Sequence, residues 1–98
     1  DLAEVRRLLA RALKDPDRSI RLAAAESLGR MRAREAVEPL RGLLASQDTP
    51  TRIAAAKALG AIGASEASDD LIGLLADFDP QVREAATRSL QDIEGGWG

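Results

Sequence analysis

A displacement of 31 residues lays this chain onto itself, and that period constrains the fold more than any other feature. "RLAAAESLG" at 21–29 returns as "RIAAAKALG" at 52–60. Asp17 falls on Asp48 and Asp79, Arg21 on Arg52 and Arg83, and Leu28 on Leu59 and Leu90. The intervening segment repeats too. "EAVEPLRGLLA" at 35–45 aligns with "EASDDLIGLLA" at 66–76, and Leu9 and Leu13 match Leu40 and Leu44, then Leu71 and Leu75. A fixed period of this length marks an array of stacked units, none of which can bury its apolar faces alone.

Each unit divides into two helices. The apolar residues are almost all Ala, Leu, Val and Ile, with one Phe, one Trp and no Tyr. That favours close-packed helices over a sheet. Apolar periodicity predicts first helices at about 2–14, 34–46 and 65–77, and second helices at about 17–31, 49–62 and 80–93. Asp17, Asp48 and Asp79 stand where N-caps are needed, with Pro50 and Pro80 beside two of them. Short loops make neighbouring helices antiparallel. In the second helices, Ile20, Ala24, Leu28 and Met31 form a buried stripe, and Ala24 and Ala55 sit at helix contacts. Gly42 and Gly73 share one position inside a first helix and suggest a close helix approach. The expected architecture is an all-α solenoid of three stacked two-helix repeats, period 31, at about 1–31, 32–62 and 63–94. It forms one domain over 1–94, with a flexible Gly-rich tail at 95–98 that carries Trp97.

Charge and chemistry exclude more than they assign. The net charge is −2. Residues 1–46 hold ten basic and seven acidic side chains (+3), and residues 47–98 hold four and nine (−5). Such asymmetry can orient a charged partner. There is no Cys, which fits a cytoplasmic setting, and no apolar run of membrane-spanning length. The chain does not begin with Met and reads as trimmed. Without His, Cys or Tyr, the commonest general base and the most nucleophilic side chain are missing. Asp77 and Asp79 are closely spaced carboxylates, but the glycine and distal glutamate of a calcium loop are absent. No catalytic residue, metal site or cofactor is expected.

The run of Asp, Pro, apolar-Arg and "AAxxLG", joined to "EAVEPL…LL", resembles the HEAT-repeat α-solenoids. It is most similar to their short bacterial form, named after phycobilin lyases. The resemblance covers all but the last four residues. It implies that the first helix of each pair lies on the outer, convex side and the second on the inner, concave side. It also implies an inter-repeat ladder: Arg21, Arg52 and Arg83 bond to loop aspartates six positions earlier. Asp15 and Asp77 are those aspartates, and Ser46 stands at the middle position, where the ladder is expected to be weaker. Repeat 3 departs from the pattern with Glu84, Thr87 and Gln91, as a polar C-terminal cap would. The first helix has no matching polar change, so that end is expected to be less well sealed.

These features point to non-enzymatic protein–protein binding, as a scaffold or a module of a larger assembly, by a monomer or within a hetero-complex. The partner-facing stripe is expected on the second helices: Arg18, Leu22, Glu26 and Arg30, then Thr49, Ile53 and Lys57, then Glu84, Arg88 and Asp92. Leu22 and Ile53 are the expected apolar anchors. One alternative is an accessory domain of a phycobilin-lyase-like protein. Another is nucleic-acid or acidic-partner binding through the corner formed by Arg30, Arg32 and Arg34. Nucleic acid is not the expected partner, because DNA-binding relatives need groove aromatics and a longer array.

Overall fold

The computed structural model describes residues 1–95; the expectation for Trp97 lies outside them. Six α-helices follow in order: α1 Leu2–Ala12, α2 Arg18–Arg30, α3 Val37–Leu43, α4 Thr49–Ile62, α5 Ser68–Gly73 and α6 Pro80–Gly95. No strand occurs among the described residues. α1, α3 and α5 form one layer and α2, α4 and α6 the other, with α4 packed between α2 and α6. The Cα trace measures 36 × 31 × 16 Å, so the slab is two helices thick.

Local chemistry sets the ends of these helices. Asp1, Asp17, Asp48 and Asp79 accept the backbone N–H groups of Glu4, Ser19, Thr51 and Gln81 at 2.9, 2.8, 3.2 and 2.7 Å. Each bond satisfies a donor that the first helical turn leaves unpaired. α4 stops at Gly63, whose φ of 77° is left-handed. Arg32 holds the same repeat position after α2 with φ 50°. α6 makes no such turn and runs on through Gly95.

The core lies between the layers and along the repeat junctions. Leu13, Leu28, Leu40, Leu59 and Leu71 are fully buried, and Ala24, Ala55 and Ala86 nearly or wholly so. Small alanines let the helix axes approach while losing no side-chain entropy. The outer helices α3 and α5 are shorter than predicted. Each is preceded by a 3₁₀ turn, Arg34–Ala36 and Ser65–Ala67, and α5 passes into a third at Leu74–Ala76. In 3₁₀ winding, residues three apart fall on one side. That seats Ala33 with Ala36, and Ala64 with Ala67, all four completely buried.

Two expectations are corrected. Ile20 is 44% exposed, although its repeat counterparts Thr51 and Val82 are buried at 1% and 0%. Those positions face the preceding repeat, and none of the described residues covers that side of repeat 1. Gly42 and Gly73 make no close approach, since a Cβ at either would meet nothing within 4 Å. The tight contacts fall at Gly29 and Gly60. A Cβ there would lie 3.1 Å from Ala58 Cα and 2.9 Å from Ser89 Cα respectively. The outer-helix glycines point away from the stack, whereas the glycine that follows each "AAxxL" faces the next inner helix.

Candidate functional site: grooves between the inner helices

Two grooves run along the inner layer. The first, about 690 Å³, lies between α2 and α4. Leu22, Ile53, Ala54, Ala58 and Ala61 supply its apolar surface, and Glu26, Arg30, Thr49 and Lys57 its polar rim. The second, about 560 Å³, lies between α4 and α6 and is lined by Ile53, Lys57, Glu84, Arg88 and Asp92, among others. Ile53 and Lys57 border both grooves, so α4 is the ridge between them.

Nine of the ten residues read from the sequence as partner-facing line these grooves: Leu22, Glu26, Arg30, Thr49, Ile53, Lys57, Glu84, Arg88 and Asp92. Arg18 does not. Its guanidinium turns to the next repeat and donates from Nε to Asp48 Oδ1 at 3.0 Å. The i, i+4 stripe, which runs on from Lys57 to Ala61, missed the groove surface made by Gly29, Pro50, Ala54 and Ala58. In sequence these small residues resemble the core alanines beside them. Only the spacing of α2 from α4 leaves one edge of that column open. Leu22 and Ile53 are both half-buried.

The arginine ladder differs from its expected form. Arg21 Nη1 donates to the Asp15 carbonyl at 2.9 Å, and Arg52 Nη1 to the Ser46 carbonyl at 2.8 Å. Arg83 Nη1 does the same to the Asp77 carbonyl at 2.7 Å. The group six positions back is therefore the backbone oxygen, and Ser46 supplies it as well as an aspartate does. The carboxylate comes from the following repeat. Arg21 Nη2 reaches Asp48 Oδ2 at 3.4 Å, and Arg52 Nη2 reaches Asp77 Oδ1 at 3.3 Å. The Asp15 side chain instead braces its own loop, accepting the Asp17 N–H at 2.8 Å. Ser46 and Asp77 accept the N–H two residues on in the same way, at 3.1 and 3.0 Å.

Asp48 concentrates this junction. It caps α4 and accepts from Arg18, Arg21 and the Thr51 hydroxyl. The hydrogen bond from Arg18, then that from Thr51, hold its carboxyl far below the usual carboxylate range. Asp77 is lowered first by the Asp79 N–H and then by Arg52.

The arginine corner is largely committed within the molecule. Arg34 Nη2 donates to Glu66 Oε2 at 2.7 Å, and Arg30 pairs with Glu26 one turn back. Arg32 is exposed at the left-handed turn. Only Arg32 of the three forms no ion pair among the described residues, so the corner does not present a triple positive charge.

Among the described residues, no helix is long and apolar enough to cross a membrane, and no cluster of three potential metal ligands occurs. Residues 5–91 match the family described as HEAT repeats. No curated protein matches the chain.

Proposed function

The chain belongs to the HEAT-repeat family, and from that premise we propose that the inner face of α2, α4 and α6 binds a protein partner. HEAT repeats generally mediate protein–protein interaction. The α2–α4 groove carries the reading for this chain: a half-exposed Leu22 and Ile53, floored by alanines and rimmed by charge. An apolar centre inside a polar rim is the usual anatomy of an interface. The groove's lining of aliphatic side chains with Glu26, Arg30 and Lys57 at the rim suits contact with a partner's mixed apolar and charged surface. Ile53 is the expected centre, because it borders both grooves. A partner segment with an apolar side chain seated there reaches Glu26 and Arg30 on one side and Glu84 and Arg88 on the other.

Capture of partners on the immobilised chain tests this, with Ile53→Asp and Arg32→Ala run in parallel. Placing a carboxylate at a buried anchor costs about 2 kcal/mol or more, on the order of 30-fold in affinity. The Ile53→Asp chain should keep its circular dichroism and release the partner, while Arg32→Ala retains it. Normal binding by a folded Ile53→Asp chain, with loss on Arg32→Ala, places the interface at the corner.

A further inference from the structure

Both walls of the α2–α4 groove are helices, whose backbone N–H and C=O groups are spent on their own turns. From Ile53 to Ala61 the α4 wall is aliphatic except for Lys57, with Ala54 and Ala58 also lining the groove. That stretch is about 12 Å long, or two helical turns. An extended chain laid along it would turn peptide groups toward walls that offer them almost no partner. Each peptide group shut away from water unpaired is costly. A helix pairs its own peptide groups and brings only side chains to the contact. Leu22 holds the register of Ile53 on the opposite wall, and both are half-buried. The small alanines beyond them leave room for bulky apolar side chains from a partner.

The charges around this groove are unevenly committed. Glu26 and Arg30 pair with each other across one turn of α2. Asp79 accepts the Gln81 N–H at the start of α6, where the helix end already compensates a negative charge. Lys57 is exposed on the ridge and forms no hydrogen bond or ion pair among the described residues. It is therefore the charge at this groove left for a partner to neutralise. The second groove differs in kind. Glu84, Arg88 and Asp92 follow one another along α6 with alternating sign, and its apolar surface is confined to Ile53 and Ala85. A carboxylate placed there would meet Glu84 and Asp92, and a long apolar side chain would find little to cover.

We propose, on the reading that the inner face binds a protein, that the α2–α4 groove takes an amphipathic helix of that partner. The helix carries apolar residues at i and i+7 and an acidic residue between them, at i+3 or i+4. Its apolar pair covers Leu22 and Ile53 at one end and Ala58 and Ala61 at the other, since seven residues of helix span about 10 Å. Positions i+3 and i+4 lean to opposite walls, and the one that leans to α4 carries the carboxylate to Lys57. A basic residue at that position would face a like charge.

The probe is a displayed library of helix-forming Ala/Gln peptides about four turns long, with i, i+3, i+4 and i+7 each drawn from Leu, Glu, Lys and Gln. It is selected in parallel on the wild-type chain and on Lys57→Glu, a change at an exposed position, with circular dichroism as the check on folding. The wild-type chain should enrich Leu at i and i+7 with Glu at i+3 or i+4. Lys57→Glu should enrich Lys in place of that Glu. A synthetic peptide of the first kind should lose affinity about five-fold on Lys57→Glu and regain it when its own Glu becomes Lys. A Pro placed mid-peptide should abolish binding. Binding should also be lost on Ile53→Asp and, independently, on Ala61→Arg, which fills the groove from an exposed position. Peptides that need the groove but show no acidic position, or tolerate the Pro, overturn the acidic helix and leave the inner-face reading standing. A library that yields no binder overturns the acidic helix as well. Selected peptides indifferent to both groove variants overturn the inner-face reading together with it.

Discussion

At the residue scale, glycines show how one amino acid takes opposite roles in one repeat. Gly42 lies inside α3 with open space around it, so its missing side chain only loosens the unfolded chain and the helix. Gly42→Ala should therefore stabilise the protein by about 0.4–1 kcal/mol, read as a higher denaturant midpoint. Gly60 is also helical, but a Cβ there falls 2.8 Å from Ser89 Oγ and 2.9 Å from Ser89 Cα. Backbone cannot swing aside as a side-chain tip can. Gly60→Ala should cost roughly 1–3 kcal/mol despite alanine's better helix propensity. A Gly60→Ala chain as stable as Gly42→Ala would mean that α4 and α6 lie further apart than 2.9 Å contacts require.

At the element scale, the junction between repeats is set by loop carbonyls and arginines more than by the helices themselves. The Arg52 side chain is 14% exposed and ties the Ser46 carbonyl of its own repeat to the Asp77 carboxylate of the next. Removing it strands partly buried acceptors, so Arg52→Ala should cost about 1–3 kcal/mol. Arg41 also crosses a junction, to Asp70, but on the outer layer and at 33% exposure. Its loss should cost less, because water replaces the lost contacts. Arg52→Lys should recover little, since one ammonium cannot span a carbonyl and a carboxylate as a planar fork does. Equal midpoints for Arg52→Ala and Arg41→Ala would remove this account of the ladder.

At the scale of the whole molecule, the uneven charge has a structural cause. The +3 of residues 1–46 and the −5 of residues 47–98 follow from junctions in which arginines lead and carboxylates follow. Acid should undo them. Asp48, Glu66 and Asp77 are all held below their ordinary range in the folded chain, Asp48 by Arg18 and Thr51, Asp77 by the Asp79 N–H and Arg52. Glu66 is lowered first by its own backbone N–H and then by Arg34. The unfolded chain therefore takes up protons first as pH falls. This stabilisation is complete above about pH 5, where the carboxylates of the unfolded chain are ionised, and is lost progressively below it. Asp48→Asn keeps a capping oxygen and removes the charge. It should be less stable at pH 7 and show a flatter loss between pH 4 and pH 2 in thermal melts. An unchanged slope would show that Asp48 titrates alike in both states.

The 31-residue period and the spacing of apolar residues determined the six helices, their pairing and the buried leucines, because helical periodicity and capping are local physics. The same columns carried most of the groove residues, since a position that packing leaves free varies between Leu22, Ile53 and Glu84. Other features were decided only when the repeats stacked. Which glycine meets a neighbouring helix, and which oxygen Arg21 or Arg52 selects, depend on the distance between two helix axes. Ile20 shows the limit most directly. By sequence it belongs to the apolar stripe with Ala24 and Leu28, and local structure cannot distinguish it from Val82. Its exposure is a property of the junction: Thr51 and Val82 are covered where a repeat packs before them, and none of the described residues packs on that side of repeat 1.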